Sequence, residues 1–263
     1  MKSNDAIHIR VKGPYFDAIG ISDPGRARSE NEDSIYLDEA GHFVLLADGM
    51  GGHERGAEAS RTAINVIQEY LQPEVLTEQL MDITDVEGVS SEIVCLSSLV
   101  GDAVEKANAV IYGRNLEGQL KRFMGTTVVG LVPVKDGLIL WFHVGDSRIY
   151  RLQDSVLQCL TSDHSAYAEW VRKGREGEKP AKNIITRAVG PHTVALPDIG
   201  WDKQRKEDIY VLCSDGLTDM ISEDQISEML NPEQDVGDMG QRLIDAANEA
   251  GGKDNVSVVV CKI

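Results

Sequence analysis

Phe43-Val44-Leu45-Leu46-Ala47-Asp48-Gly49-Met50-Gly51-Gly52-His53 joins a short apolar run to an aspartate and a glycine-rich turn. A run of this length suits a strand buried on both faces, and the glycines mark where it stops. Glycine there removes side chains so that backbone can come close to something, with Asp48 where strand hands over to turn. Asp-Gly is also a common turn pair, so one such junction carries little. The chain repeats it. Residues 138–144 run into Gly145-Asp146-Ser147-Arg148, and residues 209–214 run into Asp215-Gly216-Leu217. Further on, Gly251-Gly252-Lys253-Asp254-Asn255 opens the apolar run 256–260. Adjacent strands would bring Asp48, Asp146, Asp215 and Asp254 to one rim of a sheet, where carboxylates repel unless cations lie among them. Oxygen-only ligands select hard cations, so manganese or magnesium is expected there and zinc is not.

The bulk numbers narrow the classes. With 263 residues and 42% hydrophobic content the chain can bury a sizeable core, and a single domain over residues 1–263 is preferred. A formal charge of −17 and a pI near 4.7 argue against nucleic acid, whose phosphates need a basic surface. Cys95, Cys159, Cys213 and Cys261 lie far apart with no Cys-x-x-Cys pair, which argues against a zinc site. Three of them sit within or beside apolar runs and read as small hydrophobes in a reducing compartment. The first residues carry no long apolar core, and no run approaches the ~20 apolar residues of a spanning helix. A cytoplasmic protein with no membrane partner is expected.

Along the chain, strands are expected at 16–22, 34–37, 43–48, 126–134, 138–144, 148–152, 156–160, 194–201 and 209–214, with a closing strand from 255. Apolar residues recur at helical spacing over 56–71, where Pro73 ends the pattern, and over 91–114. Shorter helices fit 223–230 and 239–250, and the acidic stretch 74–90 reads as a loop. Residues 165–182 begin as a helix and turn polar and basic, which suggests a mobile flap. Strands and helices come in blocks, so the class is α+β: two antiparallel sheets face to face with helices outside.

Several residues have a plain reading beside a chemical one. Glu30, Glu32 and Asp33 can be a solvated acidic patch, or carboxylates feeding the same rim. Arg28 can be their ion-pair partner, or a bidentate clamp on a phosphate. His53 can be a surface histidine or a proton donor. Gly125-Thr126-Thr127 can simply begin a strand.

Taken in order, these strings resemble the type 2C metal-dependent protein phosphatases, bacterial branch. The resemblance runs through Arg28-Ser29-Glu30-Asn31-Glu32-Asp33, the Asp48–His53 string, Gly125-Thr126-Thr127 and Gly145-Asp146-Ser147-Arg148. It continues through Leu160-Thr161-Ser162-Asp163-His164-Ser165, Ile185-Thr186-Arg187-Ala188-Val189-Gly190, Ser214-Asp215-Gly216-Leu217 and Asp254-Asn255, and covers about residues 16–263. Each string is weak alone; the ordered set is specific. It implies a central β-sandwich flanked by helices in four αββα layers, with a two-metal centre at one end. By motif, Asp48 would bridge two manganese or magnesium ions, and the Gly49 carbonyl would face the second. Asp215 and Asp254 would complete the first, with Glu32 and Asp33 acting directly or through waters. Asp146, with Asp215, matches the position of a third, weaker ion, and Arg28 matches the arginine that receives phosphate.

The implied activity is hydrolysis of phosphoserine and phosphothreonine in proteins, without a phosphoenzyme, reversing a Ser/Thr protein kinase. A monomer is expected. Met50 departs from the eukaryotic pattern, which has a histidine two residues after the bridging aspartate; methionine cannot donate a proton, leaving water or His53. A two-metal nuclease would need a basic groove, and a phosphate-binding pseudoenzyme would lack one of the acids. A nucleotide-binding module would need a Gly-x4-Gly-Lys-Ser/Thr loop that is missing.

Overall fold

The strand Val44–Met50 (β4) sends successive side chains into two different cores. Val44 and Leu46 pack into a layer shared with Ile149, Leu212 and Val259, whereas Leu45 and Ala47 pack with Ala59, Ala63, Val100 and Val104 of two helices. Both faces are buried, which is why the run is continuously apolar instead of alternating. Val256–Lys262 (β12) behaves likewise, with Val256, Val258 and Val260 against helices and Val259 and Cys261 facing inward. The computed structural model describes residues 6–51, 55–72, 75, 91–119 and 121–263.

One antiparallel sheet contains Ile7–Lys12 (β1), Asp17–Asp23 (β2), Arg148–Gln153 (β8), Val156–Cys159 (β9), Ile209–Cys213 (β11) and β12, in the order β1-β2-β12-β11-β8-β9. The other contains Asp33–Leu37 (β3), β4, Val128–Val134 (β6), Leu138–Val144 (β7) and Asp198–Lys203 (β10), in the order β10-β7-β6-β4-β3. The two-residue strand Gly125–Thr126 (β5) pairs with the end of β4. Helices Arg55–Tyr70 (α1) and Ser91–Glu117 (α2) cover the second sheet, and Val236–Glu249 (α6) covers the first. Ala166–Arg172 (α3), Asp215–Thr218 (α4) and Glu223–Met229 (α5) are short. The layering is the expected αββα sandwich.

Some boundaries differ from expectation. β1 is additional: it is an edge strand whose side chains are mostly exposed, so its Ile-His-Ile-Arg-Val-Lys alternation is a weak signal. β4 continues through Gly49 and Met50 because these residues pair with Thr126 and Gly125, so the turn starts later than the Asp-Gly pair suggests. β10 starts at Asp198 instead of 194, and Val194 and Leu196 lie exposed before it. α6 begins earlier, where the Asp235 side chain accepts from the Gly237 amide and caps it. His53, Pro73 and nearly all of 74–90 lie outside the described residues. Among the described residues no helix is long and apolar enough to cross a membrane.

Candidate active site

The topology gathers acids from both sheets at one end of the sandwich. Asp33 opens β3 and lies directly across from Asp48 of β4. Asp146 follows β7 in the turn to β8. In the other sheet β11 and β12 are neighbours, so Asp215, which begins α4 just after β11, comes beside Asp254, which precedes β12. Burial first, then the charges of Asp33, Asp215, Asp146 and Asp254, push the Asp48 carboxyl well above its ordinary range. Burial pushes Asp33 up to about 7, opposed by hydroxyl bonds from Ser257 and Ser214 and reinforced by Asp215 and Asp254. Burial and Asp215 raise Asp146 to about 7, and burial and Asp254 raise Asp215 to about 6. Asp33 Oδ1 is buried without a hydrogen-bond partner. An orphaned carboxylate oxygen among mutually repelling acids, with oxygen donors on every side, fits a hard divalent cation.

Backbone ties hold this rim in place. The Asp48 amide donates to Thr127 Oγ1 at 3.0 Å, and the Asp48 carbonyl accepts from the Thr126 hydroxyl and the Thr127 amide, both at 2.8 Å. The Gly-Thr-Thr string is therefore more than the start of a strand. Gly49 admits no side chain, since a Cβ there would stand 2.1 Å from the Gly56 carbonyl oxygen. Asp33 Oδ2 accepts from Ser257 at 2.6 Å and Ser214 at 3.0 Å, and the Ser257 oxygen in turn accepts from the Ser22 hydroxyl at 2.7 Å. Asn255 pins the loop that carries Arg28. Its Nδ2 donates to the Pro24 and Glu30 carbonyls and its Oδ1 accepts from the Glu32 amide. Removing these leaves buried backbone groups unpaired, so Asn255→Ala should cost about 3 kcal/mol in urea unfolding. A loss below about 1 kcal/mol would mean that the loop is held by other contacts.

The expected site residues sit as follows. Asp33, Asp48, Asp146, Asp215 and Asp254 converge. Arg28 is exposed at the same rim and its Nη2 donates to Asp254 Oδ2 at 2.7 Å. Glu32 Oε1 accepts from the Gly56 amide at the start of α1. Burial raises its carboxyl, although that bond and Arg28 oppose the rise. Arg148 of the Gly-Asp-Ser-Arg string makes a bidentate pair with Asp163, both contacts at 2.8 Å, and so is structural. His53 lies outside the described residues. Sequence reasoning passed over Asn255, Ser214, Ser257 and the two threonines as positioning groups; only their adjacency to the acids in the motifs pointed to them.

An αββα sandwich with an acid-lined rim and an arginine beside it defines a class, and the comparisons agree. The family described as Protein phosphatase 2C matches residues 26–258, and the chain belongs to it. Its activity class is that of a serine/threonine protein phosphatase. The serine/threonine phosphatase stp of Listeria monocytogenes is 32% identical over 247 residues, covering 91% of this chain and 92% of that protein. The structure of the Mycobacterium tuberculosis serine/threonine phosphatase PstP/Ppp superposes with a TM-score of 0.79 at 32% identity, covering 94% and 98% of the two chains. The catalytic domain of the serine/threonine protein phosphatase PstP, in complex with two manganese ions, gives a TM-score of 0.74 at 33% identity, covering 94% and 97%.

Proposed function

We propose that this protein hydrolyses phosphoserine and phosphothreonine in proteins with two manganese or magnesium ions held at the acid rim. The observation that carries this reading is the convergence of Asp48, Asp146, Asp215 and Asp254 from two sheets, with the orphaned oxygen of Asp33 among them. When bound, such ions activate water for in-line attack on phosphorus and offset charge on the phosphoryl oxygens, so no phosphoenzyme is required.

The chain's own residues divide the remaining work. Asp48, Asp215, Asp254 and the Gly49 carbonyl would hold the core pair. Asp146, with Asp215, would hold a weaker outer ion. Glu32 and Asp33 would act directly or through water: Glu32 Oε1 already accepts from the Gly56 amide, whereas Asp33 keeps Oδ1 without a partner. Arg28 would leave Asp254 and take the substrate phosphate. His53 is the candidate donor of the leaving-group proton. The whole chain acts as one catalytic unit, with residues 165–182 as its flap; the protein works as a cytoplasmic monomer and reverses a Ser/Thr protein kinase.

Hydrolysis of a phosphothreonine peptide should stop in excess chelator and return with manganese, while thiol alkylation leaves it intact. Full activity in chelator would overturn the reading. Arg28→Ala should lower kcat/KM by about one to two decades, equivalent to the ~1.5–3 kcal/mol of a charged hydrogen bond. Unchanged kinetics would make Arg28 only the partner of Asp254.

A further inference from the structure

Among the described residues, three ligand-type atoms come within 4.8 Å of one another at only one place, and it is not the acid rim. They belong to His143, His164 and Asp198. His143 and His164 are buried, with rings stacked at 4.3 Å and 19°. Asp198 Oδ2 lies 3.2 Å from His164 Nε2 and 3.9 Å from His143 Nε2.

A cation is the obvious occupant, but the hydrogen bonding argues against one. The Gly145 amide donates to His164 Nδ1 at 3.1 Å. An amide can only donate, so Nδ1 is the unprotonated nitrogen and the neutral ring carries its proton on Nε2. The nitrogen that faces Asp198 then has no lone pair for a metal. Near-parallel stacking also prevents both rings from aiming in-plane lone pairs at one point.

The same bond discloses another role. His164 holds both polar backbone groups of Gly145, because its own amide donates to the Gly145 carbonyl at 2.9 Å. Gly145 sits at φ +109°, and a Cβ there would stand 2.6 Å from Thr127 Cγ2, so only glycine fits. Glycine is conformationally free, and the turn needs an external brace. The next residue is Asp146. We infer that His164 and Asp198 are positioning residues for Asp146: Asp198 fixes the His164 tautomer, and His164 fixes the turn that aims the outer acid.

Asp198 is suited to this task. It also receives the Arg187 guanidinium, which donates in addition to the Leu196 carbonyl at 3.1 Å. Burial opposes ionisation, but the bond from Arg187 and the His164 ring 3.2 Å away hold its carboxyl below the usual range. It therefore faces Nε2 as a charged acceptor, at ion-pair distance without full hydrogen-bond alignment. His143, cross-strand partner of Asp198, pins the plane of the His164 ring from β7. The inference rests on the assignment of Asp146 to an outer ion, and its test separates the two.

In chelated full-length protein, long-range nitrogen–proton spectra of the histidine ring should show His164 Nδ1 bare and Nε2 protonated. Asp198→Ala should mix the tautomers and speed exchange of the Gly145 amide proton by about tenfold, the worth of one hydrogen bond. Asp198→Asn keeps an acceptor and should restore both. Calorimetry with manganese should then show the weakest ion losing about 10–100-fold in affinity in Asp198→Ala, with the two tighter ions unchanged. Should Asp198→Ala fail to fold, His164→Asn, which places an oxygen near the position of Nδ1, should protect Gly145 where His164→Gln does not. A proton on Nδ1 in the unaltered protein, or equal Gly145 exchange in the two His164 variants, overturns the inference. Asp146→Asn tests the assignment itself: if it still binds the weak ion, that assignment falls, whereas the tautomer and exchange results report on the brace alone.

Discussion

Asp48→Asn should abolish nearly all turnover on phosphopeptides while the chelated protein melts at the same temperature or higher. The carboxylate is half-buried, faces Asp33 across the β3–β4 ladder, and feels Asp215, Asp146 and Asp254 as well. A neutral amide of the same shape removes the cost of crowding an ionisable carboxyl among these acids, and the bonds from Thr126 and Thr127 to the Asp48 backbone are unaffected. If Asp48 holds the core cations as proposed, its loss removes several kcal/mol of charge stabilisation in the transition state, or about three decades in rate. Catalysis and stability then move in opposite directions, as happens where charge is assembled for chemistry. Steady-state kinetics and a thermal melt in chelator read both halves. An active variant with a lowered melting temperature would make Asp48 a structural turn residue.

The second large effect is on pH. In chelator, melting temperature should fall as pH rises from 5 to 7.5. Asp33 and Asp146 titrate near 7 and Asp215 near 6, against about 4 in an unfolded chain. Between those values the folded protein holds more protons than the unfolded one, so stability is full below the unfolded value and is lost on the way up. His143, lowered to about 4 by burial and by His164, works in the opposite sense below about 6.5, as does His164. Two imidazoles do not outweigh Asp33, Asp48, Asp146 and Asp215. With millimolar manganese the trend should reverse, because cations displace protons from the same oxygens and stabilise the folded state by mass action. A melting temperature that rises with pH in chelator would mean that the rim acids are ionised and compensated within the protein.

Much of this was legible in the sequence, for reasons that differ by residue. The apolar runs ending at Asp48, Asp146 and Asp215, or starting after Asp254, are doubly buried strands, so composition alone marks them. Their acids could be listed before any pairing was known. The props could not. Ser214 lies 181 positions from Asp33, Ser257 lies 224 from it, and Asn255 lies 223 from Glu32. A hydroxyl or an amide has no periodicity, and these pairs form only where the sheet that carries Ser214, Asn255 and Ser257 stacks face to face on the one that carries Asp33. Edge strands were the other weak point. β1 and β10 have one flank open to solvent, so Ile7 and Trp201 are exposed and the hydrophobic contrast that marks a strand is blurred. Gly49 and Met50 were misread because a turn pair was weighed without the short β5 strand that captures it.

The rim acids divide between the two halves of the sandwich, Asp48 and Asp146 from one sheet and Asp215 and Asp254 from the other. Among the described residues no backbone ladder joins the sheets; they meet through interdigitated side chains such as Leu46, Leu212 and Val259. Whatever neutralises the rim therefore also fastens the two halves at that end. Stripped of counter-charge, the sandwich keeps that end closed through its own ties, such as Ser214 and Ser257 to Asp33 and the Glu32 amide to Asn255, against the repulsion of the acids. Its mechanical cohesion is then a property of the surrounding electrolyte as much as of the polypeptide.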